Sequence, residues 1–300
     1  MRTDTYKAIM DQKADIMRAS VGIDYDRYTI GPLSFDYEAM LADAGYDLDA
    51  IRVIQSRSAV GNTPLVELKH LTALVRAVSE PGKGARLFLK DEAANPSGSF
   101  KDRRASLSAC EAKKIGYRGI AAASSGTYGA AVASQAAKAG LMCIIVQEAF
   151  DSRGVAQPEI AEKTRACEAY GAEVVRLSVG PELFYYFLIV LKETGYFNAS
   201  LYTPYSILGI DTLGYELARQ VKSREGRFPD VVMATHAGGG NVTGTARGLI
   251  KAGAADTRMV AASVDVSGLH MASDRDFNLK TYTTGHTGLS VPFSTWPDRA

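Results

Sequence analysis

Cysteine is scarce in this chain. Cys110, Cys143 and Cys167 are the only three in 300 residues, they are widely spaced, and none forms a C-x-x-C pair. That excludes a disulfide framework and a zinc site of the usual ligand spacing, and it fits a reducing cytoplasm. Long apolar runs are missing as well: the longest, Phe184 to Leu191, is far too short to cross a bilayer. Met1 to Ala19 interleaves Arg2, Asp4, Lys7, Asp11, Lys13, Asp15 and Arg18 with its apolar residues and contains no signal-peptide core. Neither sign of charge dominates. With 34 basic and 33 acidic residues the net charge is +1, which leaves no electrostatic stripe for nucleic acid or an anionic membrane and points to a small-molecule partner. His70, His236, His270 and His286 lack metal-ligand spacing, so no metal is expected.

What is present is a globular composition, 46% hydrophobic and 22% charged, at a length that suits two domains better than one small core. From about residue 85, short β-type runs alternate with amphipathic segments, the pattern of an α/β fold wound on a mostly parallel sheet. Strands are expected at Arg86–Lys90, Gly119–Ala123, Met142–Val146, Glu173–Leu177, Asp230–Ala234 and Met259–Val264. Helices are expected at Tyr128–Gly140, Pro158–Gly171 and Pro181–Gly195, each ending on glycine. Within the last of these, Leu183, Phe184, Phe187, Leu188 and Leu191 recur at helical spacing and read as core. Beyond Val264 the chain is rich in Gly, Ser, Thr and Asp, carries little periodicity and stops without a closing element, which reads as a truncated C-terminus.

Three motifs carry chemistry. The first, Asn95-Pro-Ser-Gly-Ser-Phe-Lys-Asp102, is a turn cluster leading into a helix, with Ser99 and Asp102 at capping-box spacing. Lys101 then falls in the first turn, where the positive end of the helix dipole disfavours its ammonium and frees an amine. Arg103 and Arg104 beside it read as ordinary helix-surface charges. The second motif, Ser124-Ser-Gly-Thr-Tyr-Gly129, joins a strand to an alanine-rich helix, where backbone N–H groups suit a carboxylate or phosphate; read alone, a tight turn without a ligand serves equally well. The third, Ala237-Gly-Gly-Gly-Asn-Val-Thr-Gly244, offers a phosphate nest but matches neither a P-loop nor the Rossmann fingerprint. His236 adjoins this nest and reads as structural, while Cys143 reads as a small hydrophobe in a buried strand. An amine, a carboxylate turn and a phosphate nest are together what pyridoxal-phosphate (PLP) catalysis requires.

These motifs in this order, with Gly61-Asn-Thr-Pro-Leu65 ahead of them, resemble the fold-type II PLP enzymes such as threonine synthase, threonine dehydratase and cysteine synthase. The resemblance implies a two-domain, doubly wound α/β fold, with 1–103 and an incomplete 211–300 in the large domain and 104–210 in the small one. It implies Lys101 as the Schiff-base lysine. Ser125, Gly126, Thr127 and Gly129 would hold the substrate carboxylate, with Thr127 also facing the cofactor, and Gly238, Gly239, Gly240 and Asn241 its phosphate. A longer likeness runs from Gly22-Ile-Asp-Tyr25 through Ser152–Glu159, Gly195–Ser200 and Gly268–Ser273 to Thr295–Arg299. It is similar to the family of 2-amino-4-oxopentanoate thiolase β subunits. That likeness implies cleavage of the amino acid by CoA to acetyl-CoA and alanine in ornithine degradation, a small α subunit as partner, and an oligomer.

Two departures stand out. Thr127 occupies a position where the family carries an asparagine toward the cofactor's phenolic oxygen, and the family's partner for the pyridine nitrogen lies beyond position 300. The three motifs by themselves serve a lyase or a β-replacement enzyme as well as a thiolase. The two glycine turns alone also serve a non-catalytic anion- or nucleotide-binding protein.

Overall fold

The computed structural model describes residues 6–24, 26–31, 34–149, 158–177, 182–200, 203–236 and 239–262. The elements in chain order are α1 (Tyr6–Met10), α2 (Lys13–Val21), β1 (Thr29–Gly31), β2 (Ser34–Phe35), α3 (Tyr37–Asp43), α4 (Leu48–Arg57), β3 (Leu65–Glu67), α5 (Lys69–Ala77), β4 (Phe88–Lys90) and α6 (Lys101–Lys114). They continue with β5 (Gly119–Ala123), α7 (Thr127–Ala139), β6 (Met142–Glu148), α8 (Pro158–Ala169), β7 (Glu173–Leu177), α9 (Glu182–Thr194), β8 (Phe197–Asn198), α10 (Pro204–Glu225), β9 (Val231–Thr235), α11 (Gly240–Lys251) and β10 (Arg258–Ala262).

A four-stranded sheet in the order β7-β6-β5-β8, parallel throughout, forms the centre. The central strand β5, Gly-Ile-Ala-Ala-Ala, is buried along its whole length, and its alternation assigns each residue to one of two cores. Ile120 and Ala122 pack with Leu107 of α6 and Ala131 of α7. Ala121 and Ala123 pack with Leu183, Phe187, Leu188 and Leu191 of α9 and with Ile9, Ile16 and Met17 from the N-terminal helices. Small side chains on β5 let helices approach from both faces, as a doubly wound fold requires. The expected α9 core stripe is thus buried at four of its five positions; the side chain of Phe184 lies outside the described residues. Two smaller sheets accompany this one, β3 antiparallel to β4 and β9 parallel to β10. Ser263 and Val264 of the expected last strand lie outside the described residues, as does everything after them.

The long helix α10 joins the parts that matter for the site. A Cβ on Gly209 would lie 2.1 Å from the Arg103 carbonyl oxygen of α6. On the other side of α10, a Cβ on Gly214 would lie 1.9 Å from the Thr245 carbonyl oxygen, and one on Gly248 of α11 would lie 1.9 Å from that of Asp211. Glycine at these crossings brings three helix backbones into direct contact. Asp211, buried in α10, then accepts from Arg247 Nε at 3.1 Å and Lys251 Nζ at 2.8 Å, which sets the rotation of α11 against α10.

Candidate active site

Lys101 is the first residue of α6, as the turn cluster predicted. The loop before it is built on Asn95, whose Oδ1 accepts from Gly61 N at 2.9 Å and whose Nδ2 donates to the Glu92 backbone oxygen at 3.0 Å. Gly98, at φ 82°, makes the turn an L side chain would resist. The expected Ser99–Asp102 capping box does not form. The Asp102 carboxylate reaches further back, accepting from Ser97 N at 2.7 Å and Ser97 Oγ at 2.6 Å, because its side chain is drawn into the core by Gln135 Nε2 at 3.0 Å. Ser99 contributes a 3.3 Å bond from Lys101 N.

Burial, and after it the positive charge of Arg104, press the Lys101 ammonium down from the usual lysine range to about 7. Desolvation, and not the helix dipole to which the sequence pointed, is the main cause. Lys101 Nζ lies 4.4 Å from the Phe100 ring centroid.

Arg103 and Arg104 are not surface charges: they are 0% and 2% exposed. Helix α6 is enclosed by α4, α7 and α10, so residues that would be solvated on a one-faced helix point into protein. Arg103 Nε and Nη2 grip the two Glu92 oxygens at 2.7 and 2.8 Å, a bidentate pair, and Nη2 also reaches Glu216 at 3.1 Å. Glu216 accepts from Asn62 N and Thr63 N at 2.9 and 2.8 Å, fixing the Gly61–Leu65 segment, and pairs with Lys90. Burial alone would raise the Glu216 carboxyl, but Arg103 and Lys90 outweigh it and hold it below the usual range. A cavity of about 540 Å³ beside this network is lined by Arg52, Asn62, Tyr215 and Arg219. It is on the Arg103 side of α6, roughly opposite Lys101 around the helix, and is not the site the motifs describe.

The second motif forms the β5–α7 turn. Ser124 Oγ accepts from Gly126 N at 3.3 Å and Gly129 N at 3.0 Å, and Ser125 Oγ accepts from Glu148 N at 2.9 Å. Gly126 is exposed at the head of α7 with nothing near its missing side chain, which leaves open space there. Gly129 has a different use: a Cβ would lie 3.0 Å from Ile145 Cγ2, so its smallness serves packing. Thr127 begins α7 half-buried.

The third motif begins outside the described residues at Ala237 and Gly238. Gly239, at φ 85°, caps α11, and Gly240 begins it. Asn241 turns its amide back to Thr235, donating to the backbone oxygen and to Oγ1 at 3.3 Å each, so its side chain braces the loop. His236 is exposed, with its backbone N donating to Ala262 O at 2.8 Å. Cys143 and Cys167 behave as small hydrophobes, their thiols pushed up by burial to about 12 and about 11. Among the described residues no cluster is arranged to hold a metal ion, and no helix is long and apolar enough to cross a membrane.

Lys101 and the β5–α7 turn are joined by Asp102–Gln135 and by Arg104, whose Cζ lies 4.7 Å from the Tyr128 ring centroid. Helix α11 is tied to the same assembly through α10. Sequence reasoning missed Arg104, Tyr128 and the Glu92–Arg103–Glu216 network. The Lys90-x-Glu92…Lys101-x-Arg103 alternation of charge is a signal for the Glu92–Arg103 pair alone. An amine depressed to about 7, open space at the head of α7 and a left-handed glycine at the head of α11 together suit a phosphorylated aldehyde such as PLP.

The chain belongs to the pyridoxal-phosphate dependent enzyme family, whose match spans residues 57–298. It is 64% identical over 300 residues to a 2-amino-4-ketopentanoate thiolase β subunit from an unknown prokaryotic organism, covering 100% of this chain and 64% of that protein. It is 62% identical to the protein of the same description from Acetoanaerobium sticklandii, covering 99% and 63%. The chain thus spans less than two thirds of the length of these relatives. Among solved structures, a threonine deaminase from T.th. superimposes with a TM-score of 0.60 at 31% identity, covering 73% of this chain and 65% of that one.

Proposed function

We propose that this chain is the catalytic part of a thiolase that cleaves 2-amino-4-ketopentanoate with CoA, as the β subunit beside a small α subunit, in the cytoplasm. The observation that carries the reading is the neutral-range amine of Lys101 in a chain that matches thiolase β subunits along its whole length. CoA thiolate bonds to C4, the C3–C4 bond breaks, and C3 takes a proton, giving acetyl-CoA and alanine. When bound, PLP supplies the electron sink for the charge that develops next to the amino-acid carbon.

The chain's residues do the rest. Lys101 would hold the cofactor aldehyde, and its amine, near neutrality, would serve as the base that takes the Cα proton and returns one. Ser125, Gly126 and Thr127 present the head of α7 to the substrate carboxylate, with Gly129 giving the turn room to pack. Gly238, Gly239, Gly240 and the backbone of Asn241 hold the phosphate, the Asn241 side chain bracing them. No cysteine is required. The small domain is assigned to 104–210 and the large one to its flanks, and the protein is assigned as an oligomer.

The structural likeness to a threonine deaminase favours, as a second reading, elimination or replacement at Cβ of a hydroxy amino acid. Full-length protein with its α subunit, given CoA and 2-amino-4-ketopentanoate, should form acetyl-CoA and alanine while leaving serine and threonine untouched. Turnover of serine or threonine without acetyl-CoA would replace the thiolase by the lyase.

A further inference from the structure

Arg104 is a guanidinium buried to 2% exposure inside the protein. It lies one turn after Lys101 on the same face of α6. Its Cζ is 4.7 Å from the centroid of Tyr128, and that ring is itself fixed: the phenol donates to the Ala199 carbonyl and meets Ser206 Oγ at 2.8 Å. Ser206 in turn is bonded to Ser108 of α6 at 3.2 Å, so α6, α7 and α10 all fix the plane on which the guanidinium rests. Its charge is felt at Lys101.

A lysine joined to PLP through the aldehyde carbon, with loss of water, has the ring's phenolic oxygen beside its nitrogen, because that oxygen is carried on the neighbouring ring carbon. Arg104, one turn on from Lys101 along the same face of α6 and resting on the ring next to Thr127, places a cation at the junction of the lysine's helix with the head of α7. We propose that Arg104 is the counter-ion of the cofactor's phenolic oxygen, a positioning residue that acts on the cofactor from the Lys101 helix and is aimed by Tyr128. This rests on the reading of Lys101 as the cofactor lysine. It gives the cofactor ring a second lateral tie besides the lysine.

Other ionisable groups face this corner among the described residues. Burial raises the Tyr128 phenol, and it pushes Tyr37 of α3 up to about 12 in spite of Arg247 of α11 and Arg104. Asp211 of α10 is engaged by Arg247 and Lys251, and the Asp102 carboxylate is turned to Ser97 and Gln135. Gln55, from α4, is uncharged and is bonded to the Arg103 and Gly209 carbonyls.

The test is the pH at which the visible band of the bound cofactor shifts between its protonated and deprotonated forms, read by absorbance in full-length protein. A guanidinium on the phenolic oxygen favours loss of the proton, so Arg104→Met should raise the midpoint by roughly one to two pH units. Arg104→Lys, which keeps the charge, should stay within about half a unit. Arg104→Gln removes the charge but keeps a polar head, and it should show the same rise if the methionine variant does not fold. A purely structural role would lower thermal stability and leave the midpoint in place. An unmoved midpoint in the neutral variants, with Lys101 still labelled by borohydride, would overturn the proposal alone. A parent protein with no visible band and no labelled lysine would overturn the Lys101 reading and the counter-ion role together.

Discussion

Gln135 donates a 3.0 Å hydrogen bond to Asp102 Oδ1 and thereby joins the helix that begins at Lys101 to the helix that begins at Thr127. Both side chains are buried, and the other Asp102 oxygen is taken up by Ser97. Gln135→Leu leaves one buried carboxylate oxygen without its donor, a loss of about 1–3 kcal/mol. The variant should unfold at a lower urea midpoint and bind PLP more weakly, because the loop before Lys101 loosens with it. A parent-like midpoint and affinity would show that the pair does not set this junction.

Lys101 also leaves a mark on stability. Its ammonium is held near 7 in the folded protein against 10.5 in the unfolded chain, so the unfolded state binds more protons between these values. Without cofactor, the folded protein therefore bears the full penalty below pH 7 and sheds it as pH rises toward 10.5. Lys101→Met should raise the thermal midpoint of the cofactor-free protein, with the largest gain near pH 6 and almost none at pH 10.5. A gain independent of pH would mean that the lysine is not desolvated.

The α10–α11 crossing depends on missing side chains. In Gly248→Ala the new methyl meets the Asp211 carbonyl at 1.9 Å, so two helix backbones must separate. Destabilisation of at least about 2 kcal/mol is expected, with weaker PLP binding as the Gly239 cap shifts. Gly126→Ala is the contrast, since nothing lies within 4 Å of its new methyl. It should stay within about 0.5 kcal/mol of the parent in stability while weakening amino-acid binding at the head of α7.

Arg103, fully buried, and Glu92, half-buried, form a bidentate pair. Arg103→Met should lose about 3–5 kcal/mol because it strands Glu92, with Glu216 affected as well. Glu92→Gln/Arg103→Met should lose less than the sum of its single changes. Additive losses in urea titrations would argue against direct coupling.

Much of this was legible because periodicity and punctuation are local. The strands at 119–123 and 173–177 are found at the expected positions, and the glycine stops after α7, α8 and α9 were visible as glycines. Burial of α6 was not legible. Its arginines look like part of a solvated helix face, and only the packing of α4, α7 and α10 around it, with glycine at 209, makes them interior. The Asp102 contact was misassigned for a related reason: capping-box spacing is satisfied by Ser99, but Gln135, on another helix, pulls the carboxylate elsewhere. Asn241 illustrates the same limit at smaller scale, since its type suits a phosphate ligand while its amide braces Thr235.

The most direct measurement is the position of the cofactor. Full-length protein incubated with PLP, reduced with borohydride and digested should carry pyridoxyl on the peptide containing Lys101, and Lys101→Ala should carry none. Pyridoxyl on Lys90 or any other lysine, or bound PLP that borohydride fixes nowhere, would contradict the assignment of Lys101 on which the catalytic reading stands.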